Sequence, residues 1–130
     1  MKTVVANGCF DCLHAGHVSL LRFAREQGDK LIVLVNTDES IRRLKGPSRP
    51  LMPLRDRITV LESIRYVDQV IAFDEDTPDA MLAMLRPDVL VKGADNIGKQ
   101  VPGAEHCGRV AFAPLVDGVS TTKILECTKR

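Results

Sequence analysis

The sequence predicts an α/β protein. It expects one Rossmann-like, doubly wound parallel sheet of about five strands, with helices on both faces, in a single domain over residues 1–130. Three observations predict it. Short, mostly β-branched apolar runs recur at 4–6, 31–35, 70–73, 89–91 and 110–112, as suits strands buried on both faces. Stretches with helical periodicity separate them. The turn Asn7-Gly8-Cys9-Phe10-Asp11-Cys12-Leu13-His14-Ala15-Gly16-His17 joins the first strand to the first helix, at the carboxyl edge where open α/β sheets bind ligands.

The elements follow in order. After the strand at 4–6, a helix is expected over 17–27, with Gly28 as its stop. Asp38, past the second strand, reads as the cap of a helix through Leu44, with a contact in the site as the alternative. Three prolines and a glycine rule out regular structure from Lys45 to Pro53. Lys45 and Arg49 in that loop can reach over a bound triphosphate or sugar phosphate; a plain solvated connection is the alternative. A long helix over 55–65 puts Ile58, Leu61 and Ile64 on one stripe. Thr77-Pro78-Asp79 reads as a cap with proline at the first helical position, and the helix continues to Leu85. A last helix starts at Ser120 and carries Ile124 and Leu125.

Composition narrows the function classes. A net charge of +1 gives no reason to expect nucleic acid or an anionic membrane as partner. Four cysteines, at 9, 12, 107 and 127, fall short of a disulfide scaffold, so reduced thiols in a cytoplasm are expected. Only four small or apolar residues separate Met1-Lys2 from Asn7, too few for a signal peptide, and no apolar run reaches the length of a membrane span. The expectation is a cytoplasmic protein without internal repeats or linkers.

The opening turn carries the chemistry. A helix N-terminus offers unpaired backbone N–H groups and the positive end of the macrodipole, so anions settle there. Imidazoles three residues apart share one face of the first turn. Gly8 can turn sharply after the strand, and Gly16 lets a phosphate approach the backbone. Three other readings compete. A histidine at a helix start is commonly a cap or a surface residue. Cys9, Cys12, His14 and His17 read C-x₂-C-x-H-x₂-H, but a structural zinc site needs about a dozen residues between its ligand pairs. A thioredoxin-type C-x-x-C lacks its flanking aromatic and proline here.

The pattern G-x-F-D-x-x-H-x-G-H closely resembles the HxGH nucleotidyltransferases, the cytidylyltransferase-like family. The resemblance implies that His14 and His17 contact a nucleoside triphosphate and steady its reacting phosphorus. It counts Gly8, Cys9, Phe10, Asp11 and Gly16 among the nucleotide-binding residues, with Asp11 also able to orient an imidazole or the loop. The later Gly118-Val119-Ser120-Thr121-Thr122 resembles the family's G-x-S-T-T helix start, so Gly118, Ser120, Thr121 and Thr122 would clamp the β- and γ-phosphates. Lys92, Gly93 and Asp95 fall in the loop that helps form the family's nucleotide pocket, though Lys92 also reads as a solvated strand end. Lys45 would be catalytic and, with Arg49, bind the second substrate. No protein metal ligand is expected: Mg²⁺ would ride mainly on the phosphates of the co-substrate ATP.

The implied reaction is attack by a phosphate oxygen of a phosphorylated substrate on the α-phosphorus, with pyrophosphate leaving. The second pKa of a phosphate monoester lies near about 6, so this nucleophile is already ionised and needs no protein base. Two branches of the family are similar. Arg43-Leu44-Lys45-Gly46 with Arg49-Pro50, the run Asp74-Glu75-Asp76-Thr77-Pro78, and Leu90-Val91-Lys92-Gly93-Ala94-Asp95 resemble the bacterial heptose 1-phosphate adenylyltransferases, which make ADP-heptose for lipopolysaccharide. Ile64-Arg65-Tyr66-Val67-Asp68 and Ser120-Thr121-Thr122-Lys123-Ile124 resemble glycerol-3-phosphate cytidylyltransferase. The cytidylyl branch carries an arginine before its G-x-S-T-T element where this chain has Leu115-Val116-Asp117, which favours the heptose branch. A non-catalytic nucleotide-binding module is the alternative from another class, and the intact motifs argue against it. The resemblance further implies a homodimer, and a separate sugar kinase supplying the substrate. His106 and Cys107 show no partners in the sequence and receive no role.

Overall fold

Five parallel strands form one sheet in the order β3-β2-β1-β4-β5, with β1 at Thr3–Gly8, β2 at Lys30–Asn36, β3 at Gln69–Phe73, β4 at Val89–Gly93 and β5 at Arg109–Ala113. The computed structural model describes residues 1–115. Helices α1 (Ala15–Glu26), α2 (Asp38–Lys45), α3 (Leu54–Glu62) and α4 (Asp79–Leu85) fill the connections. Strand side chains alternate between faces, and the core divides accordingly. Val4, Ala6, Val33, Val35 and Val91 pack with Leu21 and Ala24 of α1 and Leu61 of α3. Val5, Ile32, Leu34 and Leu90 pack with Phe73 and with Leu82 of α4. The sheet is therefore covered on both faces, as the β-branched runs predict. The chain steps outward from β1 to β2 and β3, then returns to β4 on β1's other side, and this reversal opens a crevice beyond the carboxyl ends of β1 and β4.

Local differences have physical reasons. The first helix starts two residues earlier than expected, because His14 caps it. It ends at Glu26, and Gly28 is required by close approach: a Cβ there would lie 2.7 Å from Val4 Cγ2 and 2.9 Å from the Lys2 carbonyl oxygen. Thr37, not Asp38, caps α2, its Oγ1 accepting the Ser40 N–H at 3.3 Å; Asp38 is the first helical residue. The third helix ends at Glu62, so Ile64 packs on the core from the turn beyond it. Pro78 takes the cap position of α4 and Asp79 the first helical one, a shift of one residue. Lys45, expected in the irregular stretch, is instead the last residue of α2, and residues 46–53 are irregular, as three prolines dictate. The helix expected from Ser120 lies outside the described residues. No helix among the described residues is long and apolar enough to cross a membrane.

Candidate active site

The end of β1 and the start of α1 set the site. The chain leaves β1 in extended form at Gly8, whose added Cβ would come 3.3 Å from the Phe10 ring. The sharp turn expected at Gly8 falls instead on Phe10 and Cys12, with φ of 48° and 59°. Left-handed backbone costs a non-glycine residue roughly 1–2 kcal/mol. At Phe10 that cost is offset by burial of its ring, which also lies 5.7 Å from the His17 ring.

His14 and His17 form a reciprocal cap. His14 Nδ1 accepts the Gly16 N–H at 3.0 Å, and His17 Nδ1 accepts the His14 N–H at 3.1 Å. Capping and ligand binding are therefore not competing readings: each imidazole uses one nitrogen for the backbone. A neutral imidazole that accepts at Nδ1 carries its proton on Nε2, so both rings present an N–H donor at their other edge. The ring centroids are 4.0 Å apart, and both residues line one cleft. The first-turn N–H groups are less open to an anion than expected, since Gly16 donates to His14 and His17 donates to the His14 carbonyl. The donors left at the cleft are the imidazole edges.

Both rings are neutral at physiological pH. Burial, then the neighbouring His14 and Lys45 charges, pushes His17 down to about 4, and burial lowers His14 as well. Unfolded, His17 takes up its proton near 6.5; folded, it does so only near 4. Between these values the unfolded state holds more protons, so folding stability falls as pH drops from 6.5 toward 4. We expect Tm to decline over that window, and to decline less in His17→Asn; equal slopes by circular dichroism would show that His17 is not the titrating group.

Three clefts meet at Asn7, the last side chain of β1 before the glycine. The first, about 390 Å³, is lined by His14, Gly16 and His17 from α1 and by Lys92, Gly93, Asp95 and Asn96 from the β4 end. The second, about 160 Å³, brings together Gly8, Cys9, Phe10, Asp11, His17, Lys45 and Arg49. The third, about 180 Å³, lies beyond Lys92 on the α4 side. The structure thus gathers every sequence-singled site residue among the described ones into two adjoining clefts. Gly118, Ser120, Thr121 and Thr122 lie outside the described residues.

The partners of these residues refine their roles. Asp11 anchors the 46–53 loop: its carboxylate accepts the Leu51 and Met52 N–H groups and Arg49 Nε, each at 2.8 Å. Burial alone would raise its pKa, but these donors together outweigh it and hold the carboxyl below its ordinary value. Of the two roles read for Asp11 beyond nucleotide contact, the structure shows the loop. Lys92 Nζ donates to Asn7 Oδ1 at 3.3 Å; burial lowers its pKa, with Asp95 and Cys9 opposing. It is half-buried at the crevice rather than a solvated strand end. Cys9, Cys12, His14 and His17 do not converge as metal ligands. Among the described residues, the group with metal-type spacing is Asp79, Glu105 and His106. His106 thus has partners that the sequence did not reveal, Nε2 lying 3.3 Å from Asp79 and 3.5 Å from Glu105.

Arg57 belongs to the site although no motif in the sequence marks it. Wholly buried, its guanidinium donates to the Met52, Cys9 and Asn36 carbonyls and to Asp38 Oδ1, at 3.0, 2.9, 2.6 and 2.7 Å. It ties the ends of β1 and β2 to the loop that carries Arg49. Its position four residues before Leu61, on the buried side of α3, was the available signal. Asn7, a polar residue closing an apolar strand, was another.

Comparisons with known proteins identify the family. A sequence profile described as cytidylyltransferase-like matches residues 5–126. The bifunctional protein HldE of Alcanivorax borkumensis is 53% identical over 129 residues, and that of Gluconacetobacter diazotrophicus 54% identical over 129 residues. Each alignment takes in 96% of this chain and 27% of the relative, so the chain spans about a quarter of the length of these proteins. Among solved structures, a lipopolysaccharide core biosynthesis protein from Thermoplasma volcanium superposes with a TM-score of 0.71 at 25% identity, covering 90% of this chain and 99% of that one.

Proposed function

Because the chain belongs to the cytidylyltransferase-like family and is a nucleotidyltransferase, we propose that it transfers AMP from ATP to a sugar 1-phosphate, D-glycero-β-D-manno-heptose 1-phosphate, giving ADP-heptose and pyrophosphate. The observation that carries the chemistry is the pair of imidazoles whose Nδ1 atoms cap the helix, leaving two Nε2–H donors on the crevice at β1 and β4. The similarity to HldE proteins and to the lipopolysaccharide core protein supports the choice of acceptor.

The reaction is an in-line displacement at the α-phosphorus, for which the site supplies position and positive charge. An oxygen of the sugar phosphate forms the new bond to phosphorus, and the bond to the pyrophosphate oxygen breaks. The Nε2–H groups of His14 and His17 would hold the non-bridging α-phosphate oxygens and the departing oxygen. Lys45, at the carboxyl end of α2, and Arg49, fixed by Asp11, border the adjoining cleft and would draw in the second anion. Ser120, Thr121 and Thr122 would hold the leaving pyrophosphate. The donor set fits a Mg²⁺ carried by the nucleotide, since Asp11 bonds the 46–53 loop and, among the described residues, Asp95 is the one carboxylate bordering the first cleft. Bound there, the ion would neutralise the phosphates. The nearby anion would also raise the His17 pKa, strengthening its donor as the charge develops.

The deciding experiment pairs ATP or CTP with heptose 1-phosphate or glycerol 3-phosphate and follows pyrophosphate release with Mg²⁺. Release with ATP and the heptose is expected. Release only with CTP and glycerol 3-phosphate would keep the mechanism and replace both substrates.

A further inference from the structure

Resting on that reading, we propose that the third cleft receives the hydroxylated body of the acceptor, with Asp76 and Thr77 recognising its hydroxyl groups. Placement is the first argument. This cleft shares Asn7 and Lys92 with the nucleotide cleft, so a ligand in it has one end at the cation beside the reacting phosphates. Charge is the second. The polar side chains of its outer wall are a carboxylate and a hydroxyl. A carboxylate repels a polyphosphate but accepts hydrogen bonds from neutral hydroxyls, while threonine both donates and accepts. The cleft is therefore cationic at Lys92 and hydroxyl-selective at Asp76 and Thr77, the polarity of a sugar phosphate entering phosphate first. Lys45 and Arg49 of the second cleft, which meets this one at Asn7, would draw the same phosphate from its other side.

Rigidity is the third argument. Arg43 Nε donates to Asp76 Oδ1 at 2.9 Å, and the same guanidinium bonds the Asp74 carbonyl, so this exposed carboxylate is tied to α2. Thr77 Oγ1 accepts the Asp79 N–H at 3.4 Å, which leaves its own proton to donate. Pro78 and Pro102, each with its φ fixed by the ring, line the cleft beside them. A cleft of about 180 Å³ suits one small polyol rather than a nucleotide.

The test is steady-state pyrophosphate release by the full chain with MgATP and heptose 1-phosphate, for wild type, Asp76→Asn and Thr77→Val, with calorimetric ATP binding to each. Each variant is expected to raise the KM for the heptose about tenfold, a single lost hydrogen bond, with kcat and ATP affinity held to within about twofold. Unchanged heptose KM in both variants would overturn the subsite while the transferase reading stands. An equal rise in KM for ATP would assign the cleft to the nucleotide and overturn it likewise. Wild type that binds ATP but releases no pyrophosphate with heptose 1-phosphate would remove the acceptor reading itself, and the subsite with it.

Discussion

Replacing His17 by asparagine is expected to lower kcat/KM for pyrophosphate release about 10²–10³-fold, roughly 3–4 kcal/mol of transition-state stabilisation, while the fold survives. An asparagine amide oxygen stands where Nδ1 stands, so it keeps the bond from the His14 N–H and loses only the Nε2–H. His14→Asn should behave alike, since asparagine is a good helix cap and can still accept from the Gly16 N–H. The converse variant, His17→Gln, places its amide nitrogen near the Nε2 position. It should recover part of the turnover while costing about 1 kcal/mol of stability through the lost cap. Thermal melts and initial rates on the same four proteins separate the two functions of each ring. If the asparagine variants turn over at near-normal rates, the imidazole edges do not act on the phosphates.

Arg57→Met is expected to destabilise the protein by about 3–5 kcal/mol, measured by urea unfolding, the usual range when one partner of a buried ion pair is removed. Methionine fills similar volume, so the loss is polar. The Met52, Cys9 and Asn36 carbonyls lose a donor, and among the described residues Asp38 keeps the Leu54 N–H at 3.0 Å. Arg57→Lys should restore less than half, because one ammonium cannot reach acceptors that the planar guanidinium fork spans. A loss below about 1 kcal/mol in Arg57→Met would mean that water or a shifted loop takes over these bonds.

Much of this architecture is legible in local patterns. The five strands fall where short, mostly β-branched runs stand; in β1, β2 and β4, burial on both faces demands apolar side chains at successive positions. The first motif is legible because its residues lie within one turn of each other, so spacing alone brings His14 and His17 to one face. Element boundaries are less legible. His14 starts α1 through its own side chain, and Thr37 displaces Asp38 as a cap, because which polar side chain captures a free N–H depends on where the neighbouring carboxylate is drawn. Asp38 is drawn to Arg57 and the Leu54 N–H.

By itself the sequence determined the fold class, the strand positions and the placing of the histidine pair at the sheet's carboxyl edge, all consequences of periodicity and short-range spacing. Only the tertiary structure decided which nitrogen of each imidazole faces the cleft, that Asp11 holds the loop bearing Arg49, that Arg57 binds the floor of the site, and that three clefts meet at Asn7. The reason is distance along the chain. Asp11 and Arg49 are 38 residues apart and Cys9 and Arg57 are 48, and no local pattern encodes a contact that exists only after helices and loop dock on the sheet.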